Sequence, residues 1–320
     1  MRISEKSLLA SIRKLAKKNG AVRIGIGDDS AVLRVPSGHE ALITTDFSLE
    51  GVHFRREWHP PASVGHRCLT RGLSDIAAMG GDPIAAFLSL ALPKRLPQSW
   101  VDEFLRGFLA LAKRYKVPLS GGDTAESPAG ILADIVVIGS APKGRAILRS
   151  GARPGDLIYV TGTLGGSAAA LDLLLSGQRG RLRPADFPAH FYPEPRIAVG
   201  RSLRGKASAM IDVSDGLSTD LAHICEEGGV GAEVEESSII WREVLGKTPL
   251  RVGLEFALHG GEDYELLFTA PARARIPKRV AGIPISRIGQ ITRAKNLVLK
   301  DLKEKRYKLD PQGWEHFKKR

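Results

Sequence analysis

Aspartates recur along this chain in short stretches of Gly, Ser and Thr, at Asp28-Asp29, Asp46, Asp75, Asp123, Asp212 and Asp215, with no Lys or Arg beside them. Gathering carboxylates in a fold is costly unless a cation neutralises them, and a hard ion such as Mg²⁺ takes carboxylate and hydroxyl oxygens as ligands. The chemistry this pattern suits is metal-dependent and acts on phosphate.

Thr44-Thr45-Asp46 sets two hydroxyls beside a carboxylate, and Gly122-Asp123-Thr124 repeats the arrangement. Neighbouring side chains on extended backbone face opposite ways, so of Asp28 and Asp29 only one should enter a site, and Asp29 is the expected ligand. Any one Asp-Gly stretch is explained as well by a turn aspartate capping backbone N–H groups, and Asp75 alone by a solvated helical acid; recurrence favours the cation. Asp212-Val213-Ser214-Asp215-Gly216 closes a strand and opens a helix, which suits an ordinary N-cap box as well as a metal and phosphate clamp. Gly260-Gly261-Glu262-Asp263-Tyr264-Glu265 is acidic for a loop and is either solvated charge or a receptor for a cationic substrate group.

Other chemistries are disfavoured. No GxxxxGK[ST] occurs, which removes a Walker-type nucleotide loop. Gly25-Ile26-Gly27 runs into two carboxylates that would repel a pyrophosphate, and Gly162 to Ser167 is read as a plain connection. No Ser/His/Asp or Cys/His pair has nucleophile spacing; His53 follows Asp46 on one loop, and a lone His is more often structural. Cys68 and Cys225 stand far apart, so neither a disulfide framework nor a zinc site is indicated.

The elements that must position these residues alternate between helix and strand, predicting an α/β fold with mixed sheets flanked by helices. Leu8, Leu9, Ile12, Leu15 and Ala16 predict a first helix. Ala41 to Thr45 reads as a strand delivering Asp46 at its end, and Ser63 to Met79 as a helix carrying Asp75. A strand over Ile84 to Leu92, a helix ending at Tyr115, and a short strand into Gly121-Gly122-Asp123 follow. Turn residues gather around Arg149, where a domain boundary is expected, giving 1–148 and 149–320. Beyond it come a strand over Leu157 to Thr161, helices over Ser167 to Leu175 and Leu217 to Glu227, strands near Tyr264 to Thr269 and Ile283 to Ile288, and a basic tail.

At 320 residues two domains are expected, because single cores stop growing near roughly 250 to 300 residues. Lys plus Arg exceed Asp plus Glu by 47 to 35, spread along the chain, which suits anionic small molecules. No basic stripe interleaved with aromatics suggests nucleic acid, and no apolar run suggests a membrane span or a signal peptide. A soluble cytoplasmic protein is expected.

Taken in order, Gly25 to Ala31, Thr44-Thr45-Asp46 with Gly51 to Phe54, Leu73 to Gly80, Gly121 to Thr124, Arg149 to Ala152, Asp212 to Leu217 and Gly260 to Leu266 resemble the thiamine-monophosphate kinases, over nearly the whole chain. The resemblance implies an ATP-binding superfamily typified by aminoimidazole ribonucleotide synthetase, with two α/β domains and a homodimer paired through the N-terminal sheets. It implies phosphorylation of thiamine monophosphate by ATP to thiamine diphosphate, with several Mg²⁺ ions.

Carried over residue by residue, Asp29, Thr44, Thr45, Asp46, Asp75, Asp123, Asp212 and Asp215 would hold Mg²⁺. Gly122, Asp123, Arg149 and Ser214 would meet ATP, with Tyr115 near the nucleotide; Asp46, Asp123 and Arg149 would serve the transfer. His53, Glu262 and Phe317, in the closing segment Trp314 to Phe317, would contact thiamine monophosphate. Ala125-Glu126 departs from the family, which often has an Arg there. Related selenophosphate synthetases and hydrogenase maturation factors would want a reactive Cys that this chain lacks at the corresponding places. A non-catalytic nucleotide sensor would have lost the metal aspartates, and none is missing.

Overall fold

The computed structural model describes residue 12 and residues 20–26, 29–177, 183–240, 244–245, 249–250 and 253–317. The expected first helix, apart from Ile12, and Asp28 lie outside the described residues. The chain divides into two compact units, Met1–Ile76 with Gly81–Gly144, and Ala77–Gly80 with Arg145–Arg320.

In the first unit, β1 (Val22–Ile24) and β2 (Val32–Leu33) form a small antiparallel ladder. The main sheet combines β3 (His39–Leu49), β4 (Asp82–Pro93), β5 (Leu119–Gly121), β6 (Thr124–Ser127) and β7 (Leu132–Pro142) in the order β3-β7-β4-β5, with β6 also on β4. Pairing is antiparallel between β3, β7 and β4, and parallel from β4 to β5 and β6. Helices α1 (Pro61–Ala78) and α2 (Gln98–Tyr115) supply its cover. Val101, Phe104, Leu105, Phe108, Leu111 and Ala112 recur at helical spacing along α2, and all are buried.

Strand alternation divides the sheet chemically. Ala133, Ile135 and Val137 of β7 are buried, and α1 lies on their side, since a Cβ at Gly72 would meet Val137 and Thr44. On the opposite face Ile43 is 70 % exposed and Phe47 52 %. Asp46 lies within β3 rather than at its end, because the ladder with β7 continues to Leu49↔Leu132.

The second unit contains β8 (Leu157–Thr161), α3 (Gly166–Leu175), the short helices α4 (Pro188–Phe191) and α5 (Ile197–Ser202), β9 (Ala209–Val213), α6 (Leu217–Gly228) and β10 (Gly231–Glu235). After the small pair β11 (Val244–Leu245) and β12 (Pro249–Leu250) come α7 (Leu254–His259), β13 (Glu265–Ala270), β14 (Arg279–Val280), β15 (Ile283–Thr292), β16 (Leu297–Lys300) and β17 (Arg306–Lys308). The order β17-β16-β10-β15-β8-β13-β9, with β14 on β15, makes a mixed sheet. Ile158, Val160, Ile211, Val213, Leu217, Leu221, Val234 and Leu267 are among the residues of its core. The region expected as a basic tail is instead β16 and β17. Leu297 and Leu299 pack on that core, while Lys300 pairs with Glu304 at 3.0 Å and Arg306 with Glu233 at 2.8 Å.

Candidate active site

The first unit gathers its aspartates in two places. On the α1 side of the main sheet, the Thr44 hydroxyl donates to Asp75 of α1, and Arg71 Nη1 lies 3.6 Å from Asp46 Oδ1. Arg71 precedes Asp75 by one helical turn, so both meet the face of β3 that carries Thr44 and Asp46. Arg71 was not singled out from the sequence, although that spacing was its signal. Thr45 is not brought to this group; its hydroxyl is on the other face and donates to Asp134 at 2.9 Å.

Asp29 and Asp123 line one cleft of about 410 Å³, together with Ser30, Ser120, Gly122 and Thr124. Gly122 has φ +145°, and a Cβ there would stand 1.8 Å from the Leu88 carbonyl, so only glycine admits this approach. Asp123 Oδ1 accepts the Thr124 N–H at 2.8 Å, and its carbonyl accepts that of Leu90. Leu88 and Asp46 both pair with Ile135. The two places therefore share one row of the sheet, about 14 Å apart by three inter-strand spacings.

His53 sits in the turn after β3, where Nδ1 accepts the Leu49 N–H at 2.9 Å and its carbonyl accepts from Arg67 at 3.1 Å. Tyr115, half-buried, ends α2 with the Arg114 guanidinium 5.5 Å from its ring centroid. Burial pushes the Cys68 thiol up to about 12, and the same cause brings Cys225 to about 12, so neither supplies a thiolate near neutral pH.

In the second unit, Arg149 is exposed in the tight turn Arg149–Gly151. Asp212 is buried in β9, and Ser214 and Asp215 are half-buried in the loop that follows. The acidic loop lies against this one: Glu262 N–H donates to the Ser214 carbonyl at 2.8 Å and Tyr264 N–H to that of Val213 at 2.9 Å. The closing segment reaches the same loop, with Trp314 N–H 3.0 Å from the Asp215 carbonyl. Phe317 is fully exposed.

Two buried acids organise these loops: Asp220, which nothing in the sequence marked, and Asp263, which belongs to the acidic loop but is buried rather than solvated. Asp220 Oδ2 accepts the N–H groups of Ser214, Asp215 and Gly216. Burial, then the charges of Asp212 and Asp215, push its carboxyl up to about 8, against those N–H groups. Asp263 accepts from Gly165 at 2.7 Å and Ser167 at 3.3 Å, filling the amide ring of the Gly162 to Ser167 loop, and burial pushes it up to about 7. That glycine loop is therefore occupied by the protein's own carboxylate. Glu265 beside it is clamped by Arg196, Nε to Oε2 at 2.6 Å, and by the Thr161 hydroxyl at 2.5 Å.

Among the described residues, no three His, Cys, Asp or Glu side chains gather closely enough to hold a metal ion alone. Carboxylate pairs with hydroxyls and no soft donors are what remains. Such pairs suit Mg²⁺, which keeps waters and takes one or two carboxylates plus substrate phosphates. Among the described residues, no helix is long and apolar enough to cross a membrane.

Residues 27–141 match the N-terminal domain, and residues 153–301 the C-terminal domain, of the AIR synthase related proteins. The thiamine-monophosphate kinase of Escherichia coli O157:H7 is 39 % identical over 308 residues, 92 % of each chain. The crystal structure of thiamine-monophosphate kinase from Stenotrophomonas maltophilia K279a is 34 % identical with a TM-score of 0.79, covering 93 % of this chain and 97 % of its own. AaThiL complexed with AMPPCP and TMP is 33 % identical with a TM-score of 0.77, covering 99 % of both chains.

Proposed function

The chain belongs to the thiamine-monophosphate kinase family, and from that premise we infer that it moves the γ-phosphoryl group of ATP onto the phosphate of thiamine monophosphate, giving thiamine diphosphate. The observation that carries this is the convergence of Thr44, Asp46 and Asp75, all hard oxygen donors, on one face of the first unit's sheet, beside the Arg71 guanidinium.

A phosphate monoester already carries about −1.5 to −2 charges at neutral pH, so the acceptor needs no general base. The barrier is repulsion between two polyanions. The chemistry that Mg²⁺ would supply when bound is neutralisation of that negative charge. We assign several such ions to Asp29, Thr44, Thr45, Asp46, Asp75 and Asp123 of the first unit and to Asp212 and Asp215 of the second; Thr45, whose hydroxyl faces away, could join only through its main-chain carbonyl. Arg149 supplies a fixed positive charge for the phosphates, and Gly122 a backbone without a side chain to obstruct them. Ser214 and Tyr115 complete the nucleotide contacts, while Asp46, Asp123 and Arg149 hold the in-line arrangement.

Thiamine monophosphate carries a permanent thiazolium cation. A cleft of about 500 Å³ beside the acidic loop, lined by Glu255, Phe256, Gly261, Trp314 and Glu315 among others and, among the described residues, without Lys or Arg, supports its capture by charge pairing and cation–π contact. Glu262, His53 and Phe317 are the assigned substrate contacts.

The open face around Ile43 and Phe47 supports a homodimer through the first unit, since fully burying such a side chain contributes about 1.5 to 3 kcal/mol. A cytoplasmic location follows from the use of ATP. The test is to incubate the purified protein with Mg²⁺, ATP and thiamine monophosphate and to separate the products by chromatography. Thiamine diphosphate and ADP are expected in equal amounts; ADP alone would overturn the acceptor, and neither product would overturn the reaction.

A further inference from the structure

Three successive N–H groups, of Ser214, Asp215 and Gly216, converge on Asp220 Oδ2 at 3.1 Å each. Asp220 is 1 % exposed and lies in the first turn of α6, so the helix reaches back over its own start. Gly216 permits this geometry: its φ is +111°, and a Cβ would stand 2.8 Å from the His259 backbone.

Such a concave run of amides is a ready anion cradle, able to take a phosphate. Here a carboxyl group of the same chain occupies it, so the loop has no amides left to offer a nucleotide through this cradle. With the N–H groups turned inward, the loop's carbonyls turn outward, to Glu262 from Ser214 and to Trp314 from Asp215. One buried side chain thereby sets the path of the segment that carries Ser214 and Asp215 and follows Asp212.

We propose that Asp220 is a positioning residue, which fixes Asp215 beside Asp212 for a divalent cation by filling the amide ring of the loop that follows β9. This rests on the assignment of Asp212 and Asp215 as cation ligands. The plainer alternative is a buried cap that serves stability alone. A cap of that kind would shift the unfolding transition and leave cation binding by the folded protein untouched.

The test uses the full chain with AMPPCP, titrated with Mn²⁺ and followed by electron paramagnetic resonance, so that turnover plays no part. Asp215→Asn should remove a class of bound Mn²⁺. Asp220→Ala should weaken that same class by about tenfold or more, the range typical of residues that orient metal ligands. Formate, small enough to refill the vacated ring, should restore most of the loss, and Asp220→Asn, which keeps one acceptor oxygen, should weaken binding less than Asp220→Ala. Unchanged binding in Asp215→Asn would overturn the ligand assignment and the proposal with it. Loss in Asp215→Asn with native binding in Asp220→Ala, or weakening that formate does not relieve, would overturn the proposal alone. If Asp220→Ala does not fold, native binding by Asp220→Asn has that same meaning, and weakened binding supports the proposal.

Discussion

Glu262 donates its backbone N–H to the carbonyl of Ser214 at 2.8 Å, which ties the acidic loop to the loop carrying Asp215. The register continues the tie into the sheet, where Leu266 pairs with Asp212 and Glu265 with Val213. Two motifs far apart in sequence thus form one rigid piece. Its strain is local: Glu262 has φ +64° and Tyr264 φ +51°, conformations that non-glycine residues hold at a cost and that concentrate at functional sites.

Replacing Glu262 by Gln should raise KM for thiamine monophosphate by about tenfold and leave KM for ATP within about twofold, as loss of one charge-assisted contact implies. Glu262→Gly should stabilise the fold by about 1 kcal/mol through relief of the left-handed backbone while weakening the same substrate. Steady-state kinetics and urea unfolding measure the two effects; equal weakening of both substrates would remove the role given to Glu262.

Asp46→Asn should lower kcat by about a thousandfold or more, as expected when a group that holds charge at a transferring phosphoryl is lost. It also takes the charge away from the partner of Arg71 at 3.6 Å, yet Asp46 is half-buried and the fold should persist. Product chromatography with circular dichroism checks both, and native turnover would refute the metal assignment.

At Gly122, alanine meets the Leu88 carbonyl and a φ of +145° together. The left-handed strain alone is about 1 to 3 kcal/mol, and the clash adds to it. Thermal unfolding should show the loss, and nucleotide affinity measured below the transition should fall as the β5–β6 edge shifts.

Asp263 gives the chain a pH dependence whose sign is fixed. Its carboxyl in the folded state is raised to about 7, well above its unfolded range, chiefly by burial. Between these limits the folded chain binds the extra proton, so stability from this group is present at low pH and is lost as pH rises through about 7. Asp263→Asn should remove that slope, and the difference between variant and native unfolding free energies should move toward the variant on raising pH from about 4 to 7, by on the order of a few kcal/mol.

Phe47→Glu places a charge on the open face of the first sheet without entering the core, since Phe47 is 52 % exposed. Sedimentation should show a dimer for the native chain and a monomer for this variant, with unchanged circular dichroism.

Much of the fold was legible because period and punctuation agreed. The glycines after α1 placed that helix to within two residues at each end, and the apolar face of α2 placed its end at Tyr115. Strands β16 and β17 were hidden since both are short, β17 is charged, and the strand that β16 joins, β10, lies far away in sequence. At the site, the recurring aspartates stood out by composition, and the structure brings Thr44, Asp46 and Asp75 to one place. Asp220 and Asp263 did not stand out, for their importance lies in which amides they meet. Thr45 looked equivalent to Thr44, and only the pleat separates them.

That pleat has a consequence for what the gene can tolerate. β3 and β7 pair from His39↔Pro142 to Leu49↔Leu132 without a bulge, and every second residue of β3 serves a different purpose. Deleting a single codon upstream in this strand would rotate the remainder by half a turn, sending Asp46 outward to the open face that carries Ile43 and driving Phe47 toward α1. The site and the packing of α1 on the sheet would fail in the same molecule, so this ribbon should accept substitutions far more readily than changes of length.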